Sequence, residues 1–264
     1  MATAAVSAKD EVSALARGLA LVRIVADAEH PVSHGELAEA TGIPKATVTR
    51  LAATLLAAGY LRQSGDSERY SLGPQLLDLG NAYLRNFDFR AHARRHLAEL
   101  AELAGGNVHL GVRDGLDILM IDTLHPRTAI ILSRTGIGTR MAIATSASGR
   151  AYLCAAPAAE RQVLMAELEQ AAGTGWGALR PRLEQALQDY AQQGFCTSFG
   201  EWHPDIHAIG FSLHGPRGEL YAVSCGGPAY KLPKKLLLET VGPAVRATQA
   251  AIDKEMGASV AGER

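Results

Sequence analysis

Residues 42–51, Gly42-Ile43-Pro44-Lys45-Ala46-Thr47-Val48-Thr49-Arg50-Leu51, decide how the N-terminal part of this chain folds. Pro44 fixes φ as a first helical position requires. Val48 and Leu51, continued by Leu55, recur at helical spacing and form one apolar face. Lys45, Ala46, Thr47, Thr49 and Arg50 crowd the start of that helix and its other faces. Gly42 stands where a preceding helix must stop and turn, because glycine takes positive φ without strain. That preceding helix opens on Ser33-His34-Gly35-Glu36, the form of a capping box. In it a serine accepts from a helix-start amide, and a glutamate three residues on reaches back. Further upstream, Val12, Leu15, Leu19, Val22 and Ala26 alternate at spacings of three and four. They predict an amphipathic helix ending before His30-Pro31.

Helix, short turn, helix is the helix-turn-helix arrangement, whose second helix enters the major groove by its N-terminal end. Ala46 and Thr47 are small enough for close backbone approach. Lys45 and Arg50 offer positive charge to phosphate or guanine edges, with Thr49 beside them. After Gly59, residues 60–63 and 68–72 read as two short strands around the polar turn Ser64-Gly65-Asp66-Ser67. A hairpin there is a wing, with Arg62 and Arg69 as its expected phosphate contacts. Between Pro44 and Tyr70 stand four basic residues (Lys45, Arg50, Arg62, Arg69) and two acidic ones (Asp66, Glu68). So small a surplus predicts weak binding by one copy, and pairing on a two-fold operator site is the expected remedy. A protein-docking module is the alternative for a helical unit of this size.

At 264 residues, two folded units are expected. A composition 47% hydrophobic and 20% charged is that of a soluble globular protein. The three cysteines, Cys154, Cys196 and Cys225, form no C-x-x-C pair. That spacing indicates neither a disulfide framework nor a structural zinc site and suits a reducing cytoplasm. The Ala-rich start carries no secretory core, and no run approaches the roughly 20 apolar residues of a membrane span. A formal net charge of −1 argues against indiscriminate nucleic-acid binding by the whole surface.

Residues 74–87, with Leu76, Leu77, Leu79, Tyr83 and Leu84, predict a joining helix whose apolar excess fits burial against a second copy or within the chain. A helix over 89–103 ends at Gly105-Gly106. Val108, Leu110 and Val112 then alternate with His109, Gly111 and Arg113, and Asp114-Gly115 marks a hairpin leading into 116–122. A strand over 127–133 is expected next. Helices are expected over 145–155, 158–169 and 179–193, strands over 194–198, 207–214 and 219–226, and a closing helix over 233–254. Strand runs on both sides of a helical block define an α+β domain with a mainly antiparallel sheet. Cysteine paired with His203 or His207 as a thiol–imidazole nucleophile is a rival reading; a small buried hydrophobe is the commoner role of such cysteines. His203, Asp205 and His207 are a weak metal candidate, since Pro204 interrupts any strand that would align them.

In order and spacing, several motifs together resemble the IclR family of bacterial transcriptional regulators. They are the 42–51 stretch, Gly59-Tyr60-Leu61, Tyr70-Ser71-Leu72-Gly73, residues 141–151, Gly194-Phe195, and Val223-Ser224-Cys225-Gly226-Gly227-Pro228. The resemblance implies a GAF-like effector domain, homodimers pairing through the N-terminal domains, and often tetramers; with no histidine spacing or oxyanion loop to support catalysis, neither an enzyme nor a cofactor is expected. It implies that a small metabolite, frequently a carboxylate, alters operator binding from a site at the backbone amides of Ala147 and Ser148, near His207 and at Ser224. A helix N-terminus is an anion site on general grounds. The sequence departs from the family at Gly226, where a second serine often stands, and in 197–205, where Phe199 and Trp202 add aromatic surface. Both departures favour an effector larger than a two-carbon acid. The organisation expected is a tail over 1–11, winged helix-turn-helix over 12–73, linker helix over 74–88, effector domain over 89–254 and a second tail over 255–264. A C-terminal domain serving oligomerisation alone is the competing expectation.

Overall fold

The computed structural model of the chain describes residues 12–65, 67–127 and 135–262. Two compact units meet between Asn86 and Phe87.

The first unit comprises α1 (Ser13–Asp27), α2 (His34–Thr41), α3 (Lys45–Ala57), the hairpin β1 (Leu61–Ser64) and β2 (Ser67–Leu72), and α4 (Gln75–Arg85). Its core gathers Leu21, Val25, Leu37, Val48, Ala52, Leu61 and Tyr70. The capping box forms as expected: Glu36 N donates to Ser33 Oγ at 3.2 Å, and Ser33 N to the Glu36 carboxylate at 2.6 Å. Gly42, at φ 66°, ends α2 in the left-handed conformation that a side chain resists. Pro44 sits one place earlier than expected, as the N-cap of α3. Its ψ of 137° is extended, and its carbonyl accepts from Thr47 and Val48. The wing is tied back by paired backbone bonds between Val32 and Tyr70.

Two apolar faces, rather than one, run along α1. The buried face is Gly18, Leu21 and Val25. The stripe that the spacing singled out lies on the outside, with Leu15 63% and Leu19 61% exposed. Likewise α4 buries no residue, and Leu77 is 67% exposed. The joining helix is also shorter than expected, because α4 ends at Arg85 and a new helix begins at Asp88.

The second unit is a six-stranded antiparallel sheet in the order β5-β4-β3-β8-β7-β6. Its strands are β3 (Asn107–Asp114), β4 (Asp117–Leu124), β5 (Arg140–Ala142), β6 (Cys196–Phe199), β7 (Ile206–His214) and β8 (Leu220–Pro228). On one face lie α5 (Asp88–Ala104) and α10 (Gly242–Gly262), the latter preceded by a short turn α9 (Lys234–Leu236) and a π segment Leu237–Val241. On the other lie α6 (Ala147–Ala155), α7 (Ala158–Ala172) and α8 (Trp176–Gln193). The strand expected over 127–133 falls, apart from Arg127 in a turn, outside the described residues, as do the tail over 1–11 and Asp66. The chain beyond 254 departs from expectation, since α10 continues to Gly262. Glu255 anchors it to α5, pairing with Arg95 at 2.6 Å and His96 at 3.0 Å.

The sheet meets α6 at Gly210. A Cβ there would fall 2.1 Å from the Ala147 carbonyl oxygen and 2.6 Å from the Ser148 nitrogen, so the helix start rests directly on the β7 backbone. Two further bonds extend that contact across the sheet. Ser212 Oγ donates to Ala151 O at 2.9 Å, and Gln249 of α10 donates to Ser212 O at 2.9 Å.

Candidate functional site

The exposed start of α3 presents Lys45, Ala46, Thr49 and Arg50, with Thr47 half-buried beside the core residue Val48. No side chain caps this helix, so its first amides and its positive dipole end face outward. Among the described residues, Lys45, Arg50 and Arg62 form no ion pair. Arg69 differs, because its guanidinium donates to Pro31 O at 2.8 Å and to the Glu36 carboxylate at 3.1 Å. It binds the wing to the capping box of α2 and brings less free charge to a phosphate than its place on the wing predicts. Thr49 is also engaged: its hydroxyl donates to Lys45 O at 3.1 Å and accepts from His34 Nε2 at 3.0 Å. That arrangement links α2 to α3.

In the second unit, the face of the sheet under α6 floors a cavity of about 340 Å³. Strand alternation decides which residues line it. Across the sheet His109 pairs with Ser224 and Ser224 with Gly210; in the next inward-facing row Asn107 pairs with Gly226, Gly226 with Ala208, and Ala208 with Ser198. Ala147 and Ser148 at the start of α6 close one side, while Met141, Ile206, Trp202 and Pro228 supply apolar wall. The Ser146 hydroxyl caps α6 by accepting from Gly149 N at 3.0 Å, which leaves the amides of Ala147 and Ser148 without a helical partner. The hydroxyl of Ser224, a residue 4% exposed, makes no hydrogen bond among the described residues. His109 bonds Thr123 Oγ1 at 3.1 Å and Thr135 Oγ1 at 3.4 Å. Burial, reinforced by nearby His125, pushes its pKa down to about 4, so the ring is neutral at physiological pH.

Three of the four effector residues expected from the sequence, Ala147, Ser148 and Ser224, thus border one cavity. His207 does not. Between the inward-facing Ile206 and Ala208 the period of the strand turns it to the other face. There Nδ1 bonds Leu232 O at 3.0 Å and the ring meets Phe199 edge-on. Phe199 leaves the cavity with it, while Trp202 remains. Asn107 and His109 were missed; polar residues at alternate positions of a strand facing a helix start are the signal that marks them.

The loop carrying Trp202 is held by Arg150, a buried guanidinium of α6. It donates to Ala144 O and Thr197 O, each at 3.1 Å, and to both carboxylate oxygens of Glu201. That contact holds the Glu201 carboxyl below the usual range. The cysteines are thiols in apolar surroundings. Burial pushes Cys225 up to about 12, and a hydrogen bond shared with Cys154, the Sγ atoms 3.6 Å apart, together with burial raises Cys196. Raised thiols are poor nucleophiles. Among the described residues no three His, Cys, Asp or Glu side chains could hold a metal ion, and no helix is long and apolar enough to cross a membrane.

A winged helix-turn-helix followed by a separate cavity-bearing α+β domain is the architecture of a transcriptional regulator. Residues 14–65 match the IclR helix-turn-helix domain, and residues 81–254 match the bacterial transcriptional regulator IclR C-terminal domain. The chain belongs to the IclR family of DNA-binding transcriptional regulators, and it is not an enzyme. It is 30% identical over 251 residues to the HTH-type transcriptional regulator TsaQ1/TsaQ2 of Comamonas testosteroni, covering 94% of this chain and 90% of that protein. An IclR family transcriptional regulator from Brucella abortus superposes with a TM-score of 0.81 at 33% identity, covering 97% and 96% of the two chains. The fold is shared by an IclR homolog from Microbacterium hydrocarbonoxydans complexed with 4-hydroxybenzoate, at a TM-score of 0.71 and 19% identity, over 93% and 99%.

Proposed function

We propose that the chain is an operator-binding regulator whose DNA affinity is set by a small carboxylate with an apolar, preferably aromatic, body held in the cavity under α6. One observation carries this reading. The two unpaired amides at the start of α6 and the unbonded Ser224 hydroxyl converge on a cavity whose other walls are largely apolar. Oriented N–H groups and the helix dipole compensate an anion without a buried cation. The volume of about 340 Å³ suits a ring-sized acid, and 4-hydroxybenzoate in the Microbacterium protein is one such acid. Lys45, Ala46, Thr47 and Arg50 of α3 read the groove, Thr49 sets the angle of α3, and Arg62 of the wing reaches phosphate. Pairing of copies through the outer faces of α1 and α4 gives the dimer, or a tetramer of such dimers, working in the cytoplasm.

The test is thermal unfolding of the full chain with a panel of aryl and alkyl acids at saturation, followed by gel shift with operator fragments recovered by pull-down. A ligand of the native state raises the midpoint, and the same acid is expected to change operator affinity. If no acid stabilises the protein, the C-terminal domain is an oligomerisation platform and this reading falls.

A further inference from the structure

Cys154 and Cys196 stand 42 residues apart in the chain, yet their Sγ atoms lie 3.6 Å apart in the fold. Cys154 is in the last turn of α6, and Cys196 opens β6, the edge strand of the sheet. Strand pairing explains the meeting. Cys196 pairs with Gly210, the residue on which the first turn of α6 rests, so it belongs to the row of the sheet that faces this helix. Cys154 follows Ala147 by seven residues, about two helical turns, and returns to the same side of α6. The Ala186 carbonyl of α8 holds the two thiols together, accepting from Cys154 Sγ at 3.5 Å and from Cys196 Sγ at 3.6 Å. Cys225 stands apart. It follows Ser224 on β8 and pairs with Val108 and Ile209, which turns it to the opposite face of the sheet.

The paired thiols differ in access. Cys154 is partly exposed, whereas Cys196 is buried at 0% exposure. An oxidant in solvent therefore reaches the first and not the second. A hydrogen bond from the Cys196 thiol to Cys154 Sγ favours negative charge on the outer sulfur as it reacts. The buried thiol is a slow nucleophile toward anything arriving from solvent, but it need only attack a sulfur already in contact, and proximity of that kind replaces a bimolecular encounter. The gap to a disulfide bond of about 2.05 Å is roughly 1.5 Å, which modest rotation about the two Cα–Cβ bonds closes.

We propose that Cys154 and Cys196 form a redox-modifiable dithiol that a hydroperoxide closes to a disulfide. Cys154 Sγ attacks the outer peroxide oxygen and the O–O bond breaks. The sulfur becomes a sulfenic acid, and its proton leaves with the departing oxygen, as water when the oxidant is hydrogen peroxide. Cys196 Sγ then attacks that sulfur; the S–O bond breaks, the S–S bond forms, and the departing hydroxide takes the Cys196 proton as a second water. Two thiols are oxidised and one peroxide is reduced. The bond ties the last turn of α6 to the sheet edge, whatever occupies the cavity at the other end of the helix.

The test is exposure of the reduced full chain to hydrogen peroxide, then alkylation under denaturing conditions and peptide mapping without reductant. The expected result is loss of two of the three thiols, a joined peptide containing Cys154 and Cys196, an unmodified Cys225, and recovery of the lost thiols with dithiothreitol. Cys154→Ser is expected to slow thiol loss about ten-fold or more, because the accessible sulfur is gone. Cys196→Ser is expected to leave Cys154 as a sulfenic acid that dimedone captures. If either variant fails to fold, the wild-type map alone decides. Over-oxidation of Cys154 without a joined peptide, a link between Cys154 of two copies, or thiols that stay intact while those of the urea-unfolded chain oxidise overturns the proposal.

Discussion

His109 enters the fold neutral, and the cost of keeping it so depends on pH. Its native pKa, about 4, lies below the ordinary value of 6.5. As pH falls from 6.5 toward 4, the unfolded chain takes up a proton that the native chain refuses. Stability therefore declines across that window, by at most about 3 kcal/mol, and the decline levels off below it. Above pH 6.5 the contribution vanishes. His109→Gln is expected to flatten this slope, read as a smaller difference between urea midpoints at pH 7 and pH 4.5. Two other residues separate the activities. Arg50→Ala is expected to weaken operator binding about ten-fold or more in a gel shift, whereas Ser224→Ala is expected to spare it and blunt the response to acid. At this scale the sequence was informative where a motif surrounds the residue, as at Ala147, Ser148 and Ser224. At Asn107 and His109 the alternation along β3 is present in the sequence, but no local motif says that this face of the strand meets a helix start. The sequence misdirected at His207, because the one-residue parity of β7 is fixed by pairing with β8 and not by local pattern.

At the scale of elements, α2 and α3 form a rigid pair because each end is chemically specified. Ser33→Ala removes the cap that accepts from Glu36 N and is expected to cost about 1 kcal/mol, seen as a lower melting temperature. The Glu36 carboxylate keeps its bonds from the backbone amide of residue 33 and from Arg69, so the tie between α2 and the wing is expected to persist. These boundaries were readable because Ser33, Glu36, Gly42 and Gly59 are local signals. The buried side of α1 was not. Leu15 and Leu19 on one face, and Leu21 and Val25 on another, satisfy the same 3.6-residue period. Only the shape of the cavity left by α2, α3 and the wing chooses between them. The continuation of α10 past Lys254 was illegible for a similar reason, since Glu255 finds Arg95 and His96 from a distant helix.

For the whole molecule, the outer face of α1 makes the proposed pairing testable without touching either core. Both Leu15 and Leu19 are more exposed than buried. The double substitution Leu15→Glu, Leu19→Glu is therefore expected to leave the chain folded, to shift it to monomer in sedimentation velocity, and to lower operator affinity at least ten-fold through lost paired contacts. A dimer unaffected by both charges would place the interface elsewhere. Coupling between cavity and operator on the order of 1–3 kcal/mol is enough for a five- to hundred-fold response.

The bare backbone at Gly210 bears on how such a signal leaves the cavity. Most helices rest on sheets through side chains, which yield by changing rotamer and absorb small displacements like a cushion. Here the first turn of α6 rests on main chain, and the next inward residue, Ser212, is fastened to α6 above and to α10 below. A joint of that kind is stiff. A ligand that shifts the start of α6 by a fraction of an ångström moves β7 with it, and the motion reaches the opposite surface of the domain without slack.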